Sequence, residues 1–222
     1  MKTTKAARFW AWFRRNQHHF LGYDELAPAA QAYWMAELEV HMAAYDRHLE
    51  AFLACSDDRV HKLGRLLITA HGRAKSFKAA DRLVNKAPRL AAWYFESLIS
   101  PVSVAAGIRE ELAEAGLDGE SFWFDVRNSL TFRKPFLVFV DVGRDAHDDL
   151  DIMAEQAVFN VLGERMFGER VECVHFIRFS DLLPENKAFL APLGELRDFL
   201  KARELSGMVV GWDGELIKSN SP

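Results

Sequence analysis

The sequence predicts an α+β protein, in which an N-terminal helical hairpin precedes two ββαβ units that form one mixed sheet with helices on one face. Three observations predict it. Apolar residues recur at helical spacing as far as about Leu49. Short runs of strand character then take over. The order strand, strand, helix, strand occurs twice, although the two passages share negligible sequence identity. The expected organisation is a hairpin over residues 1–50, a sheet domain over 51–204, and a hairpin or extended tail over 205–222.

Residues 4–21 read as an amphipathic helix, with Phe9, Trp12, Phe13 and Phe20 near helical spacing and Gly22 as its stop. Asp24 is the expected N-cap of a second helix, with Pro28 in its first turn. Tyr33, Trp34, Leu38, His41, Met42 and Tyr45 carry that helix to about Leu49, and the short link makes the pair antiparallel. Strands are expected at Leu49 to Cys55, Leu63 to Ala70 and Trp93 to Ile99, with a helix over 75–87 that Pro88 closes. The second passage gives strands at Phe122 to Arg127, Phe136 to Val142 and Val171 to Phe179. Its helix starts at Asp148 or Asp149 and runs to about Phe167. A short helix around Ile108 and Leu112, ended by Gly116, and another over 193–203 complete the pattern. Asp213-Gly214 marks a turn in the tail.

Composition narrows the class. Half the residues are hydrophobic, with 17 Phe and 6 Trp, so the chain can bury enough apolar surface to offset its ordering entropy. A net charge of −4 with dispersed Lys and Arg argues against nucleic acid as a partner, because phosphate binding needs a concentrated basic face. Cys55 and Cys173 lie far apart among apolar neighbours and read as buried thiols of a reducing compartment. Arg14 and Arg15 break the N-terminal apolar run too early for a signal peptide, and no stretch reaches the ~20 apolar residues of a membrane span. The expectation is a cytoplasmic protein without membrane contact.

Three fragments, Phe9-Trp10-Ala11-Trp12-Phe13 with Asn16, Leu66-Leu67-Ile68-Thr69-Ala70-His71-Gly72, and Ala87-Pro88-Arg89-Leu90-Ala91-Ala92-Trp93, together resemble stretches of a bacterial family of cytoplasmic α+β proteins with no assigned activity. Val161-Leu162-Gly163-Glu164 and Leu193-Gly194-Glu195-Leu196 follow in order, so the likeness spans most of residues 8–200. It implies architecture and no chemistry. The family commonly has an acidic residue between Ala70 and Gly72, where this chain has His71, and the tail after about residue 204 is an addition.

Candidate chemistry is sparse. His71, Arg73, Lys75 and Ser76 follow a strand end and open a helix, a place where free amides and the helix dipole can hold a phosphate-bearing anion. The spacing of a triphosphate-binding loop is missing, and the plain alternative is a βα turn that Ser76 caps. Glu37, His41 and His48 can share a stripe on the second helix. Roughly 10 Å of rise separates the two histidines, too far for one ion without help. Asp145, His147, Asp148, Asp149 and Asp151 lack the calcium-loop pattern and read as a helix start. His18 and His19 suit a helix C-terminus, His175 could face either way on its strand, and no nucleophile elbow occurs. Neither a catalytic residue, a metal nor a cofactor is expected.

The aromatic crowding at Phe9, Trp10, Trp12 and Phe13 exceeds one narrow core stripe, and aromatic anchors are enriched at interfaces. Trp10, Trp12, Tyr33 and Trp34 are therefore the expected surface anchors. The expected function is non-catalytic binding of a protein partner or of a second copy. The alternative is an enzyme or sensor for a small anion at residues 69–76.

Overall fold

Thr4 opens the first helix, where its Oγ1 accepts the Ala7 amide at 3.2 Å. The structure is a computed structural model that describes residues 4–56, 62–127, 136–141, 149–206, 208–210 and 216–218. The chain divides into two compact units, one made of Met1–Ser100 with Glu164–Glu169, the other of Pro101–Gly163 with Arg170–Pro222. Its class is α+β.

In the first unit, α1 (Lys5–Leu21) and α2 (Pro28–Tyr45) form the hairpin. Asp24 does not cap α2. It lies in a short 3-10 turn, Tyr23–Glu25, and α2 opens at Pro28 behind an extended Ala27. Proline suits that first position, since its missing N–H would have no intrahelical partner there. The helix also ends at Tyr45, earlier than expected, with Asp46 leaving helical geometry.

Three strands follow, β1 (Glu50–Cys55), β2 (Gly64–Thr69) and β3 (Trp93–Ser97), with α3 (Ala74–Val84) between the last two. β1 runs antiparallel to β2, and β3 runs parallel to it. A parallel neighbour requires a crossover, and α3 supplies it, packed on β2 and β3. Alternation then decides the faces. Leu66, Ile68 and Trp93 join Phe9, Phe13, Phe20, Leu38 and Met42 in one core, while Phe52 and Tyr94 point to solvent. The helices of this unit thus cover one face of its sheet.

The second unit contains α4 (Arg109–Glu114), β4 (Phe122–Asp125) and β5 (Phe136–Val140). After these come the helical segment α5 (Leu150–Arg170), of which Glu164–Glu169 belong to the first unit, then β6 (Val174–Arg178), α6 (Pro184–Lys187), β7 (Leu190–Pro192) and α7 (Leu196–Ser206). The strand order is β6-β5-β4-β7, with β5 and β6 parallel and the other pairs antiparallel. Buried Asn160 fastens the preceding loop. Its carbonyl accepts the Val102 amide at 2.7 Å, and its side-chain amide donates to the carbonyls of Val104, at 3.1 Å, and Ala106. In the tail, β8 (Met208–Val210) and β9 (Leu216–Lys218) pair as an antiparallel hairpin, and the Asp213-Gly214 turn lies outside the described residues.

Among the described residues the strands therefore belong to separate sheets of three, four and two strands, where the sequence predicts one mixed sheet. Alternation shows which face of a strand is buried but carries no information on its hydrogen-bonded neighbour. The unanticipated β7 takes the open edge of β4. It is three residues long, too short to alternate, and ends in Pro192, which suits an edge.

α5 is broken at Gly163, where φ is 70° and ψ 165°. Only glycine adopts that region without strain, and a methyl group there would lie 2.7 Å from Pro101 Cδ. Gly163→Ala is expected to cost at least about 2 kcal/mol from strain and overlap together. Urea and thermal unfolding check it, and an unchanged midpoint would rule the strain argument out.

Candidate functional site

The strand end Thr69-Ala70-His71-Gly72 closes around a buried acid that the candidate list misses. Glu164, 0% exposed, accepts four hydrogen bonds. Thr69 Oγ1 donates to its Oε2 at 2.7 Å and the Ile99 amide to the same oxygen at 3.0 Å. The Ala70 amide donates to Oε1 at 2.6 Å and the Gly72 amide at 3.3 Å. The Glu164 amide in turn donates to the Ile99 carbonyl at 2.9 Å. The end of β2 and the helical turn that begins at Glu164 thus meet through this carboxylate.

Helix 164–169 comes close to the turn. A methyl group on Gly168 would sit 2.1 Å from the Gly72 carbonyl oxygen, so this approach requires glycine. Arg165 pairs with Asp81 on α3 at 2.8 Å through both carboxylate oxygens. The assembly ties the end of β2, the end of β3 and α3 to one short helical stretch. A carboxylate whose acceptor sites are filled and which water cannot reach has no free lone pair with which to abstract a proton. Its role is to hold backbone.

The anion candidates are placed as follows. His71 has a left-handed φ of 49°, its Nε2 lies 2.8 Å from Glu50 on β1, and its ring meets Phe52 edge-on at 5.9 Å. Arg73 opens α3 without a side-chain cap bond, and Lys75 points to solvent. Ser76 does not cap the helix as expected. It lies within the first turn, buried, with its amide bonded to the Arg73 carbonyl at 2.8 Å. The amides of Ala70 and Gly72, which an incoming anion would need, are already engaged by Glu164.

The aromatic candidates split. Trp10 and Trp12 are buried at 4% and 7% exposure, so they are core residues and not the surface anchors expected. Trp10 Nε1 donates to the Leu83 carbonyl on α3 at 2.8 Å, and its ring meets Phe95 at 4.7 Å. Trp12 stacks on His41 with centroids 4.1 Å apart. The sheet and α2 together give α1 a wide burial face, which accommodates all four rings. Tyr33 is 55% exposed, while Trp34 is half-buried under His19, whose ring stacks on it at 3.9 Å.

His48 lies beyond the end of α2, so it shares no helical stripe with Glu37 and His41. The latter two stand 4.0 Å apart. Residues 142–148 of the acidic stretch lie outside the described residues, and no group of three potential metal ligands occurs among those described. His175 is exposed on β6.

Two surface features of the hairpin are missing from the sequence reading, because each depends on which helix faces meet. One is the outer face of α2, where Ala29, Tyr33, Ala36, Val40 and Ala43 are all exposed. The other is a groove of about 440 Å³ between α1 and α2, lined by residues that include Lys5, Arg8, Trp12, Arg15, His41 and Tyr45. The regular spacing of Lys5, Arg8, Trp12 and Arg15 along α1 is the pattern from which it could have been read.

Removing the Glu164 carboxylate strands four donors, two of them fully buried. Glu164→Ala should therefore cost about 3–5 kcal/mol in urea unfolding, and Glu164→Gln less, since the amide keeps one acceptor. Equal stability of all three proteins would refute the clamp. Burial, helped by Asp24 and opposed by Lys62, pushes the Cys55 thiol above its ordinary range, and its Sγ contacts the Phe20 carbonyl at 3.1 Å. Cys173 is exposed. At neutral pH iodoacetamide should alkylate Cys173 well before Cys55, as read by peptide mass.

Comparison with protein-family models, with curated proteins and with solved structures finds no match to this chain.

Proposed function

We propose that this protein is a cytoplasmic, non-catalytic binding protein that acts as a homodimer through the outer face of α2. The observation that supports this most directly is the composition and exposure of that helix. α2 contains no lysine or arginine, and its charged side chains are Glu37 and Glu39 alone, apart from any charge on His41. Its inner face buries Leu38 and Met42. Its outer face exposes Ala29, Tyr33, Ala36, Val40 and Ala43, spaced four, three, four and three residues apart. That is the a/d period with which helices pack on one another, and a helix apolar on both faces is normally covered on both.

A second copy is the occupant favoured by symmetry and charge. About a two-fold axis through Ala36, antiparallel helices would set Ala29 against Ala43, Ala32 against Val40, and Tyr33 against Glu39. Asp24 and Glu25 precede the helix, while Asp46, Arg47 and His48 follow it. Antiparallel pairing would bring the acidic start of each helix toward Arg47 of the other, with opposed macrodipoles. The small side chains would allow close approach. The dispersed cations and a net charge of −4 favour protein over nucleic acid as the partner. No described helix is long and apolar enough to cross a membrane. The reading of residues 69–76 as an anion site is weaker, because Glu164 already takes two of the turn's amides.

Sedimentation velocity at micromolar concentration should show a dimer. Val40→Glu and Ala36→Glu, both at exposed positions, should give monomers with an unchanged thermal midpoint. A wild-type monomer throughout the concentration range, or a dimer indifferent to both substitutions, would end this reading.

A further inference from the structure

We infer that the groove between α1 and α2 is a binding site for a small organic anion with an aromatic body. This site is separate from the outer face of α2 and from the 69–76 turn. Lys5, Arg8, Trp12 and Arg15 follow one another at intervals of three, four and three residues, so they form one ridge of α1. Lys5 to Arg15 spans about 15 Å of helical rise, which puts cations at both ends and the Trp12 ring between them. α2 supplies the opposite wall with His41, Ala44 and Tyr45.

The two walls are already set. Trp12 and His41 stack at 4.1 Å, and Lys5 Nζ donates to the Tyr45 carbonyl at 3.3 Å. Arg15 Nε donates to the Ala11 carbonyl at 3.2 Å. Both acceptors are neutral carbonyls, so these bonds orient the cations without cancelling their charge. No Asp or Glu is among the described residues that line the groove, in a chain whose acids outnumber its Lys and Arg by 32 to 28.

A volume of about 440 Å³ is within the range of sites for drug-sized ligands. The apolar floor, to which Ala11, Ala44 and the largely buried Trp12 contribute, rewards a ring, and the rim rewards a carboxylate, sulfonate or phosphate that can reach an arginine. A neutral ring would leave the cations uncompensated, and a bare anion would leave the floor wet. The two demands together define the ligand class.

The probe is naphthalene-2-sulfonate, titrated calorimetrically into the full chain, with 2-naphthylmethanol as the neutral counterpart. The sulfonate should bind one per chain and the alcohol at least tenfold more weakly. Arg8→Glu combined with Arg15→Glu should lower the sulfonate affinity at least tenfold. Ala11→Trp, which fills the groove and keeps its charges, should do the same, while Val40→Glu on the outer face should leave it unchanged. Both α1 positions are exposed, and thermal midpoints verify that each variant is folded. Should the charge-reversed protein unfold, Arg8→Gln with Arg15→Gln replaces it. Absence of sulfonate binding, equal binding of the alcohol, or affinity unmoved by the arginine and Ala11 substitutions would overturn the inference.

Discussion

A carboxyl group sealed from water must find its hydrogen-bond donors inside the protein, and Glu164 finds four. They come from two places distant in sequence, the end of β2 with its turn and Ile99 two residues beyond the end of β3, so one side chain fixes the exits of two neighbouring parallel strands. Those exits are where a parallel sheet is hardest to finish, because its strands cannot be joined by a tight hairpin and their last amides need partners from elsewhere. Here Gly72, in a left-handed conformation, turns its amide back to the carboxylate. The geometry that resembles an empty anion cradle is a filled one.

The hairpin depends on a different force. α1 inserts Phe9, Trp10, Trp12 and Phe13 between the sheet, α2 and α3, and the rings meet edge-on, tilted or stacked at 4.7–6.3 Å. Such contacts hold a helix with little help from hydrogen bonds, and the Trp10 indole adds its bond to Leu83. Because α1 buries its own aromatic residues, the surface left to the hairpin includes the alanines, Tyr33 and Val40 of α2 and the cationic ridge of α1. Both proposals about function rest on these leftovers.

Much of the fold was legible in the sequence, since hydrophobic period and punctuating glycines and prolines report local structure directly. β2, α3 and β3 fall close to their expected places for that reason, and the α+β class follows. What stayed hidden depends on neighbours. The apolar runs of Phe122–Asp125 and Phe136–Val140 mark strands, yet nothing local separates them from the sheet of β1, β2 and β3. β7 is paired only because β4 offers an edge. Crowded rings at Trp10 and Trp12 suggested exposure, when the sheet in fact offered a second wall. Glu164 was visible as a residue but not as a clamp, because its partners are mostly main-chain amides that no composition or motif records.

The same fact has an evolutionary corollary. Three of the four groups that hold Glu164 belong to the peptide backbone, so the side chains at 70 and 99 can drift without loosening the contact. Across diverging sequences the site would register as a solitary acidic position with few covarying partners. Methods that infer proximity from paired substitutions would pass over one of the most heavily bonded side chains in the molecule.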